Sequence, residues 1–343
     1  MSTPAPRPAD GASRSDQLTP EEFRAAALEI EAAVGRLIVG QEEILRGVLT
    51  SMVAGGHVLL EGVPGLGKTT MARAFAQAVQ LETRRVQFTP DLMPADLTGT
   101  TVLTQDDRGN ADLRFQPGPV FTNLVLADEI NRAAPRTQSA LLEAMQEQTV
   151  TVGNVTHELP TPFLVLATQN PVEQAGTYPL PEAELDRFFM NLLFTFPGPD
   201  ELTAMVRRTS AEVQPEVPVV ADGPMLLRMR SLARSVPAAT EVIHYASRLV
   251  MALHPEADDA SDLVRECVRL GPSPRGVQAL ALAGQVTALL GGRSNLAYED
   301  VRAVALPVLR HRLVLTFDAE RRRVARDELV RDALERVAEE APR

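Results

Sequence analysis

The chain has 343 residues, 45% of them hydrophobic, which is enough for about two domains with a sizeable core. Its formal net charge of −11 weighs against a protein that grips nucleic-acid backbone, because such proteins present a basic face. Its single cysteine, Cys267, excludes an internal disulfide framework, and we expect it to be a small core residue.

The first 18 residues are expected to form a disordered leader. Residues 1–17 are rich in Pro, Ala and Ser and lack the apolar centre of a secretory signal. No apolar run approaches the roughly 20 residues needed to span a bilayer, so we expect a cytoplasmic protein. At Thr19, a capping box with Glu22 and a proline at the first helical position predict a helix that runs to about Leu37.

Five short apolar runs alternate with helix-like segments in the next part of the chain. They occupy residues 57–60, 84–88, 124–127, 163–167 and 191–196. The runs are continuous rather than alternating, as in strands that are buried on both faces of a parallel sheet. The sequence therefore predicts an α/β domain over residues 19–198.

The first run leads into a phosphate-loop pattern. Gly62-Val63-Pro64-Gly65-Leu66-Gly67-Lys68-Thr69 fits the pattern of Gly, four residues, then Gly-Lys-Thr, and Thr70 opens a helix-like segment. Glycines let backbone N–H groups wrap a phosphate, and the helix adds its positive N-terminus. Lys68 is expected to reach the β- and γ-phosphates and Thr69 to ligate Mg²⁺. A plain glycine turn is the alternative, which the flanking strand and helix disfavour.

Two stretches interrupt the α/β rhythm. Residues 101–116 place a polar turn between β-prone flanks, and residues 149–162 place Gly153-Asn154 between two alternating runs. Both patterns predict β-hairpins that are inserted into the core.

A pair of acids ends the third apolar run. Asp128 and Glu129 fall at the carboxyl edge of the predicted sheet, where ligands bind in such folds. We expect Asp128 to hold Mg²⁺ and Glu129 to act as the general base on the attacking water. A solvated loop start or a helix cap is the alternative. A kinase takes its nucleophile from its substrate, so the acid pair favours nucleotide hydrolysis over phosphoryl transfer.

Asn170 ends the fourth run and is a further candidate site residue. It is expected to contact the γ-phosphate or the water from the neighbouring strand. The alternative is an ordinary Asn-Pro turn formed with Pro171.

The apolar period becomes helical after Pro197-Gly198-Pro199. Helices are predicted from residue 222, from 242, over 274–290 and over 299–313, and the run 263–270 around Cys267 is helix-like. They predict a small all-α domain over residues 199–343. Its end, residues 318–343, is highly charged and is either a surface helix or partly disordered.

Two longer blocks resemble the MoxR family of AAA+ ATPases. One begins with Asp128-Glu-Ile-Asn-Arg and runs to Glu147, and the other runs from Ala167 to Phe188. The resemblance extends from about Ile38 to Phe317. It implies an AAA+ core with a five-stranded parallel sheet and helices on both faces, followed by a helical lid, with ATP and Mg²⁺ as ligands.

The resemblance also assigns roles to single residues. Asn170 matches the first sensor, and Arg275 matches the second sensor, carried by the lid. The segment that contacts adenine through its backbone is matched by Val39, Gly40 and Gln41. Without the resemblance, Arg275 is equally a residue that stabilises a helix start.

Arg187 matches the arginine finger, which enters the site of the neighbouring subunit and stabilises the charge of the transition state. An arginine that acts across subunits requires a closed head-to-tail ring, and the family implies six subunits. The alternative for Arg187 is a surface residue that pairs with Glu184.

The leading hypothesis is an ATP-hydrolysing chaperone that assembles or matures client protein complexes. A partner with a von Willebrand factor A domain is implied by the resemblance alone. One alternative is a nucleic-acid motor, which the acidic balance disfavours. Another is a nucleotide-dependent binding switch with little turnover, which Glu129 disfavours.

Overall fold

The computed structural model describes residues 18–105, 111–170, 176–209 and 216–338. Its strands are β1 (Val58–Glu61), β2 (Thr83–Gln87), β3 (Gly99–Gln105), β4 (Ala111–Pro117), β5 (Leu124–Asp128), β6 (Thr149–Val152), β7 (Val155–Glu158), β8 (Leu164–Gln169), β9 (Met190–Leu193), β10 (Val268–Leu270) and β11 (Val314–Leu315). The predicted leader lies outside the described residues, apart from Leu18. So do residues 106–110 in the first predicted hairpin and residues 339–343.

Helices make up much of the rest of the described chain. They are α1 (Pro20–Gly35), α2 (Glu42–Ala54), α3 (Lys68–Ala78), α4 (Pro94–Thr98), α5 (Pro135–Glu147), α6 (Glu182–Leu185), α7 (Pro199–Thr209), α8 (Gly223–Ser235), α9 (Thr240–Met251), α10 (Asp262–Cys267), α11 (Pro274–Leu290), α12 (Tyr298–Leu309), α13 (Phe317–Arg321) and α14 (Arg326–Arg336). Within the described ranges, none is long and apolar enough to cross a bilayer.

Five strands form one parallel sheet in the order β2-β5-β8-β1-β9, which confirms the predicted α/β class. Both faces of this sheet are covered. Val58 and Leu60 of β1 belong to an apolar cluster with α1, α2 and α3, whereas Leu59 belongs to a second cluster with α5. Because β1, β5 and β8 are neighbours and parallel, their carboxyl ends meet at one edge of the sheet.

β2 differs from the expectation of a strand that is buried on both faces. It lies at the edge of the sheet, pairs with β5, and exposes every residue except Val86. An edge strand has one neighbour only, so polar side chains are tolerated there. Arg85 and Gln87 are two residues apart and therefore share one face of the strand.

The first helix begins with the predicted capping box, in which Thr19 accepts from the Glu22 N–H and the Glu22 carboxylate accepts from the Thr19 N–H. It ends at Gly35, close to the expected end. Two antiparallel ribbons, β3/β4 and β6/β7, lie where the sequence predicts hairpins. The Phe115 ring stacks on His157 at a centroid distance of 4.0 Å and so joins the two ribbons.

The segment after Pro199 is helical, with one departure from prediction. The helix-like run 263–270 is helical only to Cys267, and the next three residues form β10, which pairs with β11. The helix expected over 299–313 is present as α12 up to Leu309 and continues as a 3-10 turn over Arg310–Arg312, close to its expected end. Val268, Val314 and Leu315 are buried in this ribbon, so tertiary pairing of β-prone residues overrides their helical spacing.

Two further expectations for this segment are met by the structure. Cys267 is fully buried, as expected of a small core residue. In the charged C-terminal part, α14 is a helix with a buried face formed by Leu329, Val330 and Ala333. Helix α8 packs against α2, and α11 packs against α1 and α2, so the lid and the core share one apolar cluster.

Candidate active site

The loop between β1 and α3 has the backbone shape that its glycines predict. Gly65 and Gly67 both have φ of 86°, a conformation that side chains disfavour. A Cβ atom at either position would meet nothing within 4 Å, so the loop faces open space. α3 begins directly after Gly67, and its first N–H groups therefore point toward that space. These features form a cradle for an anion.

Lys68 lies in this cradle with only 9% of its surface exposed. Its Nζ donates a hydrogen bond to the Gly62 carbonyl oxygen at 2.6 Å, which holds the side chain along the loop. Burial lowers the pKa of Lys68, and three nearby carboxylates oppose that shift. They are those of Asp128, Glu129 and Glu61.

Asp128 stands at the carboxyl end of β5 and is held from two neighbouring strands. Thr168 Oγ1 of β8 donates to its Oδ1 at 2.6 Å, and Arg85 Nη2 of β2 donates to its Oδ2 at 2.7 Å. A carboxylate in this position, beside the cradle, is suited to hold Mg²⁺ next to a phosphate.

Glu129 follows with a left-handed backbone, at φ of 57°. Its N–H donates to Thr168 Oγ1 at 2.9 Å. Its Oε2 accepts from Gln87 Nε2 and from Arg132 Nη1, both at 2.8 Å. In this conformation, the carboxylate is therefore held toward β2 and Arg132.

The structure brings most of the predicted site residues to one cavity of about 300 Å³. We call it the loop cavity. It is lined by Pro64, Gly65, Gly67, Lys68, Thr69, Thr70, Asp128, Glu129 and Asn170. Gly62 joins it through its carbonyl bond to Lys68, while Val63 and Leu66 belong to the same loop.

The predicted adenine-contacting segment lies before α2 and does not line the loop cavity. Gly40 and Gln41 have left-handed backbones, with φ of 65° and 64°. Gln41 Nε2 donates to the Thr195 carbonyl at 3.0 Å, and Gly40 lies beside Glu201 of α7. Val39 precedes them. The segment is thus fixed against the end of β9 and the start of the lid.

Arg187 and Arg275 lie apart from the loop cavity, at a second cavity of about 320 Å³. This second cavity, which we call the arginine cavity, lies at the amino end of β1, because Gly56 and His57 line it. Its charged lining residues are Asp186, Arg187, Arg234, Arg275 and Arg312. The second-sensor match Arg275 lines this cavity and does not line the loop cavity of its own chain.

The contacts of these two arginines are few. Arg187 Nη1 donates to the Leu142 carbonyl at 2.9 Å. The alternative partner Glu184 instead accepts from Ser139, at 3.3 Å. Arg275 Nη1 lies 3.9 Å from Asp186 Oδ2. Both guanidinium groups therefore keep donors available at the arginine cavity.

Four residues that contact the acids were missed by sequence reasoning. Arg85 and Gln87 come from β2, Thr168 comes from β8, and Arg132 follows the acids by a few residues. The spacing of Arg85 and Gln87 signals a shared strand face, but only the strand order places that face beside β5.

Comparisons with known proteins agree with this geometry. Residues 57–190 match the AAA ATPase family described as associated with various cellular activities, and residues 260–333 match the AAA lid domain. A chaperone of Mycobacterium tuberculosis, MoxR1, is 40% identical over 89% of this chain and 80% of its own length. Protein MoxR of Paracoccus denitrificans is 33% identical over 89% of this chain and 93% of its own.

A solved structure shares the whole architecture. It is a protein of Cytophaga hutchinsonii provisionally described as an ATPase, and it superposes with a TM-score of 0.85 at 36% identity. The likeness covers 93% of this chain and 96% of the other. With phosphate loop, acids and lid all in place, the chain belongs to the MoxR family of AAA+ ATPases.

Proposed function

We propose that this protein is a Mg²⁺-dependent ATPase that works as a ring and remodels client proteins. The observation that carries the proposal is the meeting of Lys68, Asp128 and Glu129 in the loop cavity. A buried cation, a metal-binding acid and a second acid beside a glycine cradle are the parts that nucleotide hydrolysis needs.

Thr69 and Asp128 are the residues that would hold Mg²⁺. Within the described ranges no cluster of three or more His, Cys, Asp or Glu forms a closed metal site. That suits Mg²⁺, which takes one or two protein ligands and completes its shell with water and phosphate oxygens. Bound there, the ion would neutralise charge on the β- and γ-phosphates. Asp128 must then exchange its contact with Arg85 for the ion.

Glu129 is the group that would accept a proton from the attacking water. At present the carboxylate pairs with the Arg132 guanidinium and accepts from the Gln87 amide, which aims it toward β2. Rotation away from these two donors frees the carboxylate to act as a base. Asn170, which also lines the loop cavity, would orient the water or the γ-phosphate.

Arg187 and Arg275 support a ring in which each site is shared. Phe189 N–H donates to the His57 carbonyl at 2.7 Å, so the Arg187 segment lies at the amino end of β1, whereas the phosphate loop follows its carboxyl end. The four residue steps from His57 to Glu61 span about 13 Å. Two sites at opposite ends of one strand suit a head-to-tail ring, and the family suggests six subunits.

The remodelling role rests on the relatives and on the two ribbons. MoxR1 of Mycobacterium tuberculosis is a chaperone by name. Here the ribbons β3/β4 and β6/β7 project from the nucleotide-binding domain, and Leu103 and Leu113 of the first ribbon face each other at 68% exposure. We propose that the client is a protein complex under assembly, reached together with a partner that carries a von Willebrand factor A domain.

Phosphate release and nucleotide binding test this function together. Lys68→Ala should abolish tight ATP binding, and Glu129→Gln should bind ATP yet stall hydrolysis with the ring assembled. Glu143→Gln is the control, because Glu143 is an exposed acid of α5 outside both cavities. Wild-type hydrolysis by both site variants would refute the proposal. A pull-down with the stalled Glu129→Gln ring then looks for the client.

A further inference from the structure

The charge of the arginine cavity is strongly one-sided. Four guanidinium groups and one carboxylate line it. His57 also lines the cavity and is buried. Burial lowers the pKa of His57 to about 4, so its imidazole is neutral at pH 7. The cavity thus presents excess positive charge and attracts an anion.

One of the four arginines has a purely structural task. Arg312 is buried and donates to Asp186 Oδ1 at 2.9 Å and to the Phe188 carbonyl at 2.8 Å. Asp186 also accepts from Ser273 Oγ at 2.7 Å, which uses its second oxygen. Among the described lining residues, Asp186 is the one carboxylate, and Arg312, Ser273 and, at 3.9 Å, Arg275 already contact it. Arg187, Arg234 and Arg275 keep donors for a ligand.

No contact within the described part of the chain explains the position of Arg234. Among the residues that the structure describes, it forms no hydrogen bond or ion pair, although it lines the cavity from α8. One turn before it, Arg230 buries Nε and Nη2 without an acceptor in the described residues. Two like charges four residues apart on a helix repel each other. An anion placed between the lid and the core would stabilise their juxtaposition.

We infer that Arg234 is a third arginine that contacts the terminal phosphate of the nucleotide held by the neighbouring copy of this chain. The inference rests on the proposed function. Arg187 reaches that phosphate from the core, while Arg234 and Arg275 reach it from two separate lid helices. A bound triphosphate therefore ties the lid of one subunit to its own core and to the next subunit.

Hydrolysis of the nucleotide needs no reactant besides ATP and water. The water oxygen bonds to the γ-phosphorus, the bond from that phosphorus to the bridging oxygen breaks, and Glu129 accepts the proton. ADP and inorganic phosphate leave. Arg234 neutralises charge on the non-bridging oxygens, which is where an arginine contributes to this reaction.

Arg234→Gln tests the inference, with Arg228→Gln as its matched control. Arg228 is an exposed arginine of the same helix and lines neither cavity. We expect Arg234→Gln to lower kcat by about tenfold to hundredfold, with KM for ATP within about twofold of wild type. Arg234→Lys keeps the charge but loses the planar set of donors, so its kcat should lie between those of Arg234→Gln and wild type. Equal kcat for Arg234→Gln and Arg228→Gln would overturn the inference.

Mixing separates a contact across subunits from a structural role. Lys68→Ala subunits have no working loop cavity but keep Arg234, so mixing them with Arg234→Gln subunits should raise hydrolysis above the sum of the two alone. Failure of that rescue also overturns the inference. If Arg187→Ala is impaired while Arg234→Gln is not, the proposed function stands and only this inference fails. If Lys68→Ala hydrolyses normally, the proposed function fails first.

Discussion

The hydroxyl of Thr168 connects the two acids of the loop cavity. It donates to Asp128 Oδ1 at 2.6 Å and accepts from the Glu129 N–H at 2.9 Å. The same oxygen thus orients the carboxylate that we propose binds the metal, and it stabilises the left-handed backbone at Glu129. Thr168 itself is fully buried, so neither contact is replaced readily by water.

Thr168→Val should weaken both the fold and the metal site. The valine has the same shape but leaves an oxygen of Asp128 and the N–H of Glu129 unpaired, which costs about 1–3 kcal/mol in free energy of unfolding. The Mg²⁺ concentration for half-maximal hydrolysis should rise, because Asp128 loses its orientation. Denaturant unfolding and a Mg²⁺ titration of phosphate release measure the two effects. Thr151→Val, at an exposed position of β6, is the control, and equal Mg²⁺ dependence in the two variants would contradict the assignment.

The residues of the loop cavity were predictable to the extent that motifs carry them. Gly65, Gly67 and Lys68 follow from a local pattern, and Asp128 follows from its place after an apolar run. Thr168 and Arg85 have no such pattern, because they meet Asp128 only through the strand order β2-β5-β8. The roles of the cavity residues stay predictions until nucleotide binding and hydrolysis are measured.

The start of α11 connects the lid to the core. Ser273 is its N-cap and accepts from the Arg275 N–H at 3.1 Å. Its hydroxyl also donates to Asp186 Oδ2 at 2.7 Å. Asp186 in turn accepts from Arg312. The helix that carries Arg275 is therefore held by a core carboxylate.

Ser273→Ala should lower both stability and hydrolysis. Loss of an N-cap costs about 0.5–2 kcal/mol, and the start of α11 loses its bond to Asp186, so Arg275 is less well positioned. Nucleotide binding should persist, since the loop cavity is untouched. Ser261→Ala provides a matched control, because Ser261 caps α10 by accepting from the Val264 N–H but lines neither cavity. The Ser261→Ala variant should lose similar stability but keep its hydrolysis rate. Thermal unfolding and phosphate release measure the two quantities. Equal hydrolysis rates in the two variants would contradict a role for α11.

Element type followed from sequence where burial and period agree. The strands β1, β5 and β8 are continuous apolar runs, and α1 carries its capping box. β10 and β11 could not be predicted from the sequence, because strands of two or three residues gain their stability from each other rather than from local preference. The edge position of β2 was also not predictable from the sequence, because it depends on which strand lies outermost in the sheet.

Hydrogen bonds connect the C-terminal helix to the phosphate loop. Asp327 of α14 pairs with Arg310 at 2.8 Å, and Arg310 donates to the Asn191 carbonyl of β9 at 3.3 Å. Asn191 Nδ2 donates to Glu61, directly before Gly62, at 2.8 Å. In the proposed ring, a displacement of the loop on nucleotide exchange would pass along these bonds to the lid, which carries Arg234 and Arg275.

A ring with shared sites predicts complementation between two inactive variants. Arg187→Ala should bind ATP normally but hydrolyse it about 10³-fold or more slowly, since the finger acts in the transition state. Lys68→Ala should be inactive because it does not bind ATP tightly. In an equal mixture that exchanges subunits, about a quarter of the junctions pair an intact loop cavity with an intact Arg187. Hydrolysis should therefore recover to about a quarter of the wild-type rate per subunit, because each junction of a head-to-tail ring takes one half-site from each side. Phosphate release across mixing ratios measures this, and size-exclusion chromatography checks that mixed rings form. If mixed rings form and hydrolyse no faster than the sum of their components, each subunit contains its whole site and the head-to-tail arrangement is wrong.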